Sequence, residues 1–197
     1  MRARRILVAY GTRYGQTAKI ALRIAETLTA EGALVTLVPA DDLPVGFAPR
    51  DYDGIVLGAS IIGGRHQRSV RRLASAHRDA LNEMPSAMFS VSGSAASEDE
   101  EGKAAARTML LEFLHEAQWR PRVVELVAGA MAFTKYSFPL RWWMRRISAK
   151  AGGPTDTSRD HELTDWAQVE RFARTFLSVV PEPEDAGSRE VRAVSAR

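Results

Sequence analysis

Residues 5–17 read Arg5-Ile-Leu-Val-Ala-Tyr10-Gly11-Thr12-Arg13-Tyr14-Gly15-Gln16-Thr17. The short apolar run that opens this stretch reads as a buried strand. It passes directly into a polar loop with two glycines and two threonines. Beyond the loop, Ile20, Ile24, Ala25 and Leu28 recur at helical spacing, and Gly32 is a natural stop. A strand that hands over to a helix in this way places the free N–H groups of the helix start at the loop. An anion can settle there, drawn by those donors and by the helix dipole. Thr12 and Thr17 add hydroxyl donors, and Gly15 lets a phosphate approach the backbone closely.

The same alternation continues outward. Residues 34–39 form a second apolar strand and residues 53–58 a third, which runs into a glycine-rich loop at 59–64. Val70, Leu73, His77 and Leu81 mark the apolar stripe of one helix. Residues 85–91 form a fourth strand, about 98–116 a long helix, 123–131 a fifth strand, and Thr164-Asp165-Trp166 opens a last helix ending near Val180. Continuous apolar strands alternating with helices imply an α/β fold, a parallel sheet covered on both faces. Five strands favour the doubly wound, flavodoxin-like order 2-1-3-4-5, with right-handed crossovers. Ligands of such sheets sit beyond the carboxyl ends of the strands. One domain is expected over 1–180, interrupted by an insertion at 132–160. The stretch 181–197, with two prolines and mixed charge, reads as a disordered tail.

Composition narrows the function classes. Of 197 residues, 45% are apolar and 26% charged, ordinary globular values that exclude wholesale disorder. No apolar run reaches ~18 residues, so no transmembrane helix is expected, and the first apolar stretch is too short for a signal peptide. The absence of cysteine excludes disulfides, thiolate metal sites and a cysteine nucleophile. Four scattered histidines offer no metal cluster. The net charge of +3 permits an anionic partner without naming one, and no nucleic-acid module accompanies it.

Three small-residue loops meet at one sheet edge: Thr12, Arg13, Tyr14, Gly15, Gln16 and Thr17; Ala59, Ser60, Ile61 and Gly63; and Ser90, Val91, Ser92 and Gly93. Neither the dinucleotide pattern GxGxxG nor the Walker pattern is present. Hydroxyl-rich loops suit a single terminal phosphate, and a mononucleotide carrying a flavin ring would span all three. Each loop alone is also compatible with an ordinary connection.

These residues resemble the flavodoxin-like proteins, and within them the quinone-dependent protoporphyrinogen oxidase (protoporphyrinogen IX dehydrogenase) family. The matching stretches are residues 12–17, 58–61, Met84-Pro-Ser-Ala87 with Ser90-Val91, Gln118-Trp-Arg-Pro121, Ala128-Gly-Ala130, Gly152-Gly153 with Thr155-Asp-Thr157, and Thr164-Asp-Trp166. The resemblance implies bound FMN, its phosphate at 12–17, and its ribityl chain and ring at 59–64 and 90–95. It implies oxidation of protoporphyrinogen IX to protoporphyrin IX, a six-electron change needing three turnovers of a two-electron flavin. The acceptor would be a membrane quinone, and the place the cytoplasmic face of the cell membrane. The chain departs from the family pattern at 61–64, where Ile-Ile-Gly-Gly replaces a basic or aromatic residue, and at Glu98-Asp-Glu-Glu101, where the pattern is basic. A non-enzymatic electron carrier and an NAD(P)H-fed quinone reductase are the alternatives on the same fold.

The insertion carries Lys135, Arg141, Arg145, Arg146 and Lys150 with Phe133, Tyr136, Phe138, Trp142 and Trp143, and no acidic residue between 132 and 155. Pro139 suits a helix start, and Gly152 can close the helix. Leu140, Trp143, Met144, Ile147 and Ala151 form its apolar stripe, with Arg141, Arg145 and Ser148 opposite. Such a helix fits peripheral membrane contact through 133–151, or arginines on substrate carboxylates. Arg65 and His66, beside the second loop, are further candidates for substrate or membrane contact. The plain reading of His66 is a surface residue at a helix start. Ser97 and Glu100 fit a capping box. No residue stands out as a catalytic base.

Overall fold

The computed structural model describes residues 2–97, 100–150 and 152–183. Met1, Glu98, Asp99, Ala151 and 184–197 lie outside them, and with them most of the expected tail. Five parallel strands build the sheet: β1 (Arg5–Gly11), β2 (Leu34–Pro39), β3 (Gly54–Ile62), β5 (Ser86–Ser92) and β6 (Val123–Ala128). Their order is β2-β1-β3-β5-β6. This is the expected 2-1-3-4-5 arrangement once the two-residue strand β4 (Arg65–His66), antiparallel to the end of β3, is set aside.

Both faces are covered. Alternate β1 side chains enter opposite cores: Ile6 and Val8 pack under α1 (Gln16–Ala30) and α6 (Trp166–Ser178), with Ile24, Val56, Phe89, Phe172 and Phe176. Leu7 and Ala9 pack on the other face with Leu57, Val70, Leu81, Met88, Phe113 and Trp119. The elements there are α2 (Arg68–Ala76), α3 (Arg78–Glu83) and α4 (Glu100–Ala117). Burial on both faces explains why the strands read as continuous apolar runs. Gly58 marks the tightest point, since a Cβ there would lie 1.9 Å from the Phe89 ring.

Four local expectations are corrected. The single helix predicted across Val70 to Leu81 is two, broken at His77 (φ −119°, ψ 21°), whose ring meets Phe47 edge-on at 5.2 Å. The fifth strand does not continue to Met131. It stops at Ala128, and β7 (Ala130–Met131) turns away to pair antiparallel with β8 (His161–Glu162). A Cβ at the intervening Gly129 would press on Val91 at 3.0 Å. The Ser97 cap is not made, because its hydroxyl is buried without a partner among the described residues. Ser148 does not face outward. It is buried, and its Oγ donates to Pro154 O at 2.6 Å.

The insertion has its own small core of Met131, Ala132, Phe133 and Tyr136, against which Tyr14, Leu140, Met144 and Leu163 pack. Its helix α5 (Phe138–Lys150) is closed by Gly152 at φ +70°, and Gly153 N donates back to Ser148 O. Several of the stretches behind the family resemblance have structural work here. Trp119 Nε1 donates to Ser86 Oγ, which donates to Leu81 O, locking the start of β5 to α3. Thr164 Oγ1 donates to Ala128 O at 2.7 Å and accepts from Gln16 Nε2 at 2.9 Å, tying the insertion's far end to α1.

Candidate functional site

The 12–17 loop is shaped by its own residues. Thr12 Oγ1 accepts from Gly15 N at 3.0 Å, and Gly15 adopts φ +99°, a left-handed conformation that glycine takes without strain. The first intrahelical donor recorded at this end is Lys19 N, to Gly15 O. The N–H groups of the preceding first turn have no acceptor within the helix. Thr17, only 1% exposed, has a hydroxyl with no partner among the described residues. A buried hydroxyl beside free helix-start N–H groups is a donor set waiting for an anion. Gln16, predicted as a ligand, has its side chain committed to Thr164. Arg13 is exposed, 5.8 Å over the Tyr14 ring.

The second loop is less flexible than its glycines imply. β3 runs on to Ile62 and folds back as a hairpin, Ile61 opposite His66 and Ile62 opposite Arg65. Gly63 and Gly64 both have positive φ (58° and 77°), the signature of a tight two-residue turn. Gln67 fastens the base, its N donating to Ser60 O and its Nε2 to Ser60 Oγ, both at 3.2 Å. Ala59 is buried in the core, so the loop proper starts at Ser60. Likewise Ser90 and Val91 are buried within β5, and the third loop starts at Ser92, whose Oγ accepts from Ala95 N at 3.1 Å. Gly93 leads into a turn at 94–96.

His66 is not a surface residue. It is 4% exposed, with Nε2 2.9 Å from Ser90 Oγ and its ring tilted on Phe113 at 4.8 Å. Burial, helped by the charge of Arg71, pushes its pKa down to about 4, so the imidazole is neutral at pH 7. Arg65, beside it, is exposed.

The insertion lies against the first loop. Tyr136 meets Tyr14 edge-on at 5.0 Å, and Lys135 Nζ donates to Tyr14 O at 2.9 Å. The Tyr136 hydroxyl accepts from Ala132 N, and burial raises its pKa. The sequence reading noted Lys135 and Tyr136 only as members of a basic aromatic segment. Their contact with Tyr14 is long-range, and no spacing announces it. Within α5, Arg141 is half-buried, Nη2 donating to Tyr136 O, with a buried Nε that has no partner among the described residues. Trp142 and Trp143 are each 56% exposed and Phe138 82%. Arg145 is exposed, and Arg146 lies 5.2 Å over the Trp142 ring. The expected apolar stripe is therefore divided: Leu140 and Met144 pack inward, while Trp143 and Ile147 stay in solvent.

Comparison with known proteins agrees with this fold. A family model described as a flavodoxin domain matches residues 7–158. Protoporphyrinogen IX dehydrogenase (quinone) of Escherichia coli K12 is 34% identical over 179 residues, covering 90% of this chain and 97% of the relative. The Leishmania major protein of the same name is 33% identical over 186 residues, covering 90% and 78%. Among solved structures, oxidised Flavodoxin 1 from Bacillus cereus superposes with a TM-score of 0.56 at 17% identity, over 90% of this chain and 99% of that one. A flavodoxin from the Archaea gives 0.52 at 15%, over 89% and 98%. At those identities the structures speak for the fold alone. The sequence relatives go further: the chain belongs to the flavodoxin-domain family, in the branch of the protoporphyrinogen IX dehydrogenases (quinone).

Proposed function

We propose that this chain is an FMN-dependent oxidoreductase that converts protoporphyrinogen IX to protoporphyrin IX and passes the electrons to a quinone at a membrane surface. The cofactor half rests on one observation, the unpartnered buried hydroxyl of Thr17 beside the helix-start N–H groups. That donor set fits a phosphate, and the open space around Gly15 lets one approach. By the family resemblance, the hairpin at 60–66 and the turn at 92–96 would flank the ring. When bound, FMN supplies a two-electron acceptor for the macrocycle. This chain's residues would supply position and charge: Thr17 would donate to the phosphate, and the exposed Arg13 and Arg65 would offer guanidinium forks to substrate carboxylates. Substrate and acceptor follow from the names of relatives matched along nearly their whole length.

The membrane half follows from α5. No helix among the described residues is long and apolar enough to cross a bilayer. Phe138, Trp142, Trp143 and Ile147 are instead exposed on one short helix that also carries Arg141, Arg145, Arg146 and Lys150. Exposed aromatics among cations on an amphipathic helix suit the headgroup layer of an anionic membrane, reached from the cytoplasmic side. The test is anaerobic stopped-flow absorbance of the FMN-loaded protein with protoporphyrinogen IX. Bleaching of the flavin band with a rising Soret band supports the reading. A flavin that stays oxidised moves the chain to an electron carrier or, if NAD(P)H bleaches it, to a quinone reductase.

A further inference from the structure

The hairpin from Ile61 to His66 projects past the sheet edge, and its two ends are held very differently. The glycine tip is exposed. The inner end is anchored by His66, buried between β5 and α4 through its bond to Ser90 and its stacking on Phe113. Gln67 fastens the hairpin's base to Ser60, which is β3 holding its own continuation. The His66–Ser90 bond crosses instead to β5, the strand that ends two residues later in the turn at 92–96. One side-chain bond thus joins the hairpin to the strand that feeds the 92–96 turn, the two segments proposed to flank the ring. Burying an imidazole costs desolvation that a phenyl ring on Phe113 would not incur, so packing alone does not account for a histidine here.

We propose that His66 is a positioning residue: through Ser90 it sets the depth of the 61–66 hairpin against the 92–96 turn, and so weights binding of the ring between its oxidised and reduced forms. This rests on the FMN reading above. A backbone held at fixed depth beside the redox-active part of a ring interacts unequally with its two oxidation states. The logarithm of the ratio of the two affinities sets the shift in midpoint potential.

The test compares His66→Phe, Ser90→Ala, the double variant and His66→Gln, whose amide can still reach Ser90. Two quantities are read: the Kd for FMN, and the two-electron midpoint potential of the bound flavin. The loss of one net hydrogen bond is expected to change the ratio of affinities by about tenfold. That is about 30 mV for a two-electron couple. His66→Phe and Ser90→Ala should each produce that shift, the double variant no more than either, and His66→Gln little. Ser90→Ala removes only a hydroxyl, so it reports even if His66→Phe fails to fold. Amide exchange at 61–66 in the FMN-free protein should rise in both single variants. Equal loss of affinity for both forms at an unmoved potential, or additive shifts, would overturn the role of His66 and leave the cofactor reading standing. A wild-type protein that takes up no FMN would overturn both.

Discussion

The carboxyl edge of the sheet and the α5 insertion put their unusual residues in opposite places. At the sheet edge the unusual groups are polar and buried: Thr17 with no partner, His66 held to Ser90. In the insertion they are apolar and exposed: Phe138, Trp142, Trp143 and Ile147. A buried polar group without a partner costs free energy in the empty protein, and so does an exposed cluster of large aromatics in a soluble one. On the proposed function each would be relieved by a different companion, an anion in one case and an apolar, anionic surface in the other. The two regions touch through Tyr14, which belongs to the first loop and packs into the insertion's small core. The proposed ligand site and the proposed surface contact therefore share Tyr14 as a neighbour.

The largest test of the comparison asks whether the insertion is part of the fold or an appendage. Phe133 is fully buried at its centre. Phe133→Ala should cost about 3–5 kcal/mol, seen as a lower Tm for the whole unfolding transition. If α5 melts alone while the sheet unfolds as before, the insertion is a separate unit, and the single domain proposed over 1–180 must be divided.

The next effect belongs to the sheet edge. In the unfolded chain His66 takes a proton near pH 6.5, in the fold only near pH 4. Between these values the unfolded state binds the proton and the folded state does not. Stability therefore rises with pH through this window, and falls by about 3 kcal/mol as pH drops from 6.5 to 4. Denaturant titrations across that range should show the slope in wild type and a flatter profile in His66→Gln. Equal slopes would mean that other groups set the acid limit.

Thr17→Val separates empty from loaded protein. It removes a buried hydroxyl that satisfies nothing in the empty chain, so Tm without ligand should hold or rise. FMN affinity should fall by roughly 10- to 150-fold, the worth of one bond to a charged group. A drop in Tm with unchanged FMN affinity would place the phosphate elsewhere.

The sheet was readable from sequence because strands buried on both faces leave unbroken apolar runs, and because Gly32 and Gly152 stand where helices stop. The hairpin at 61–66 was not. Ile61-Ile62-Gly63-Gly64 reads equally as a slack loop, and what anchors its hairpin, the bond from His66 to Ser90, lies across 24 residues of chain. His66 was misjudged for the same reason. Its neighbours Arg65 and Arg68 are polar, and its burial comes from Phe113 on a helix far along the sequence. Ser148 was misplaced because a helical wheel cannot know that residues 153 and 154 fold back onto it.

The smallest effect sharpens the contrast within α5 itself. Arg145 is exposed, whereas Arg141 is half-buried and bonded to Tyr136 O. If α5 lies on anionic lipid, Arg145→Gln should weaken binding to phosphatidylserine-containing vesicles by about 1 kcal/mol, or roughly fivefold. Raised salt should shrink the difference, since the charge works through solvent. Arg141→Gln should lower stability, because its bond is internal. Replacing Trp142 and Trp143 with Ala should leave the unfolding free energy within about 0.5 kcal/mol of wild type and reduce pelleting with vesicles. Arg145→Gln without effect on vesicle affinity would leave the aromatics as the whole attraction, and the insertion's cations would then be free for the carboxylates of the substrate.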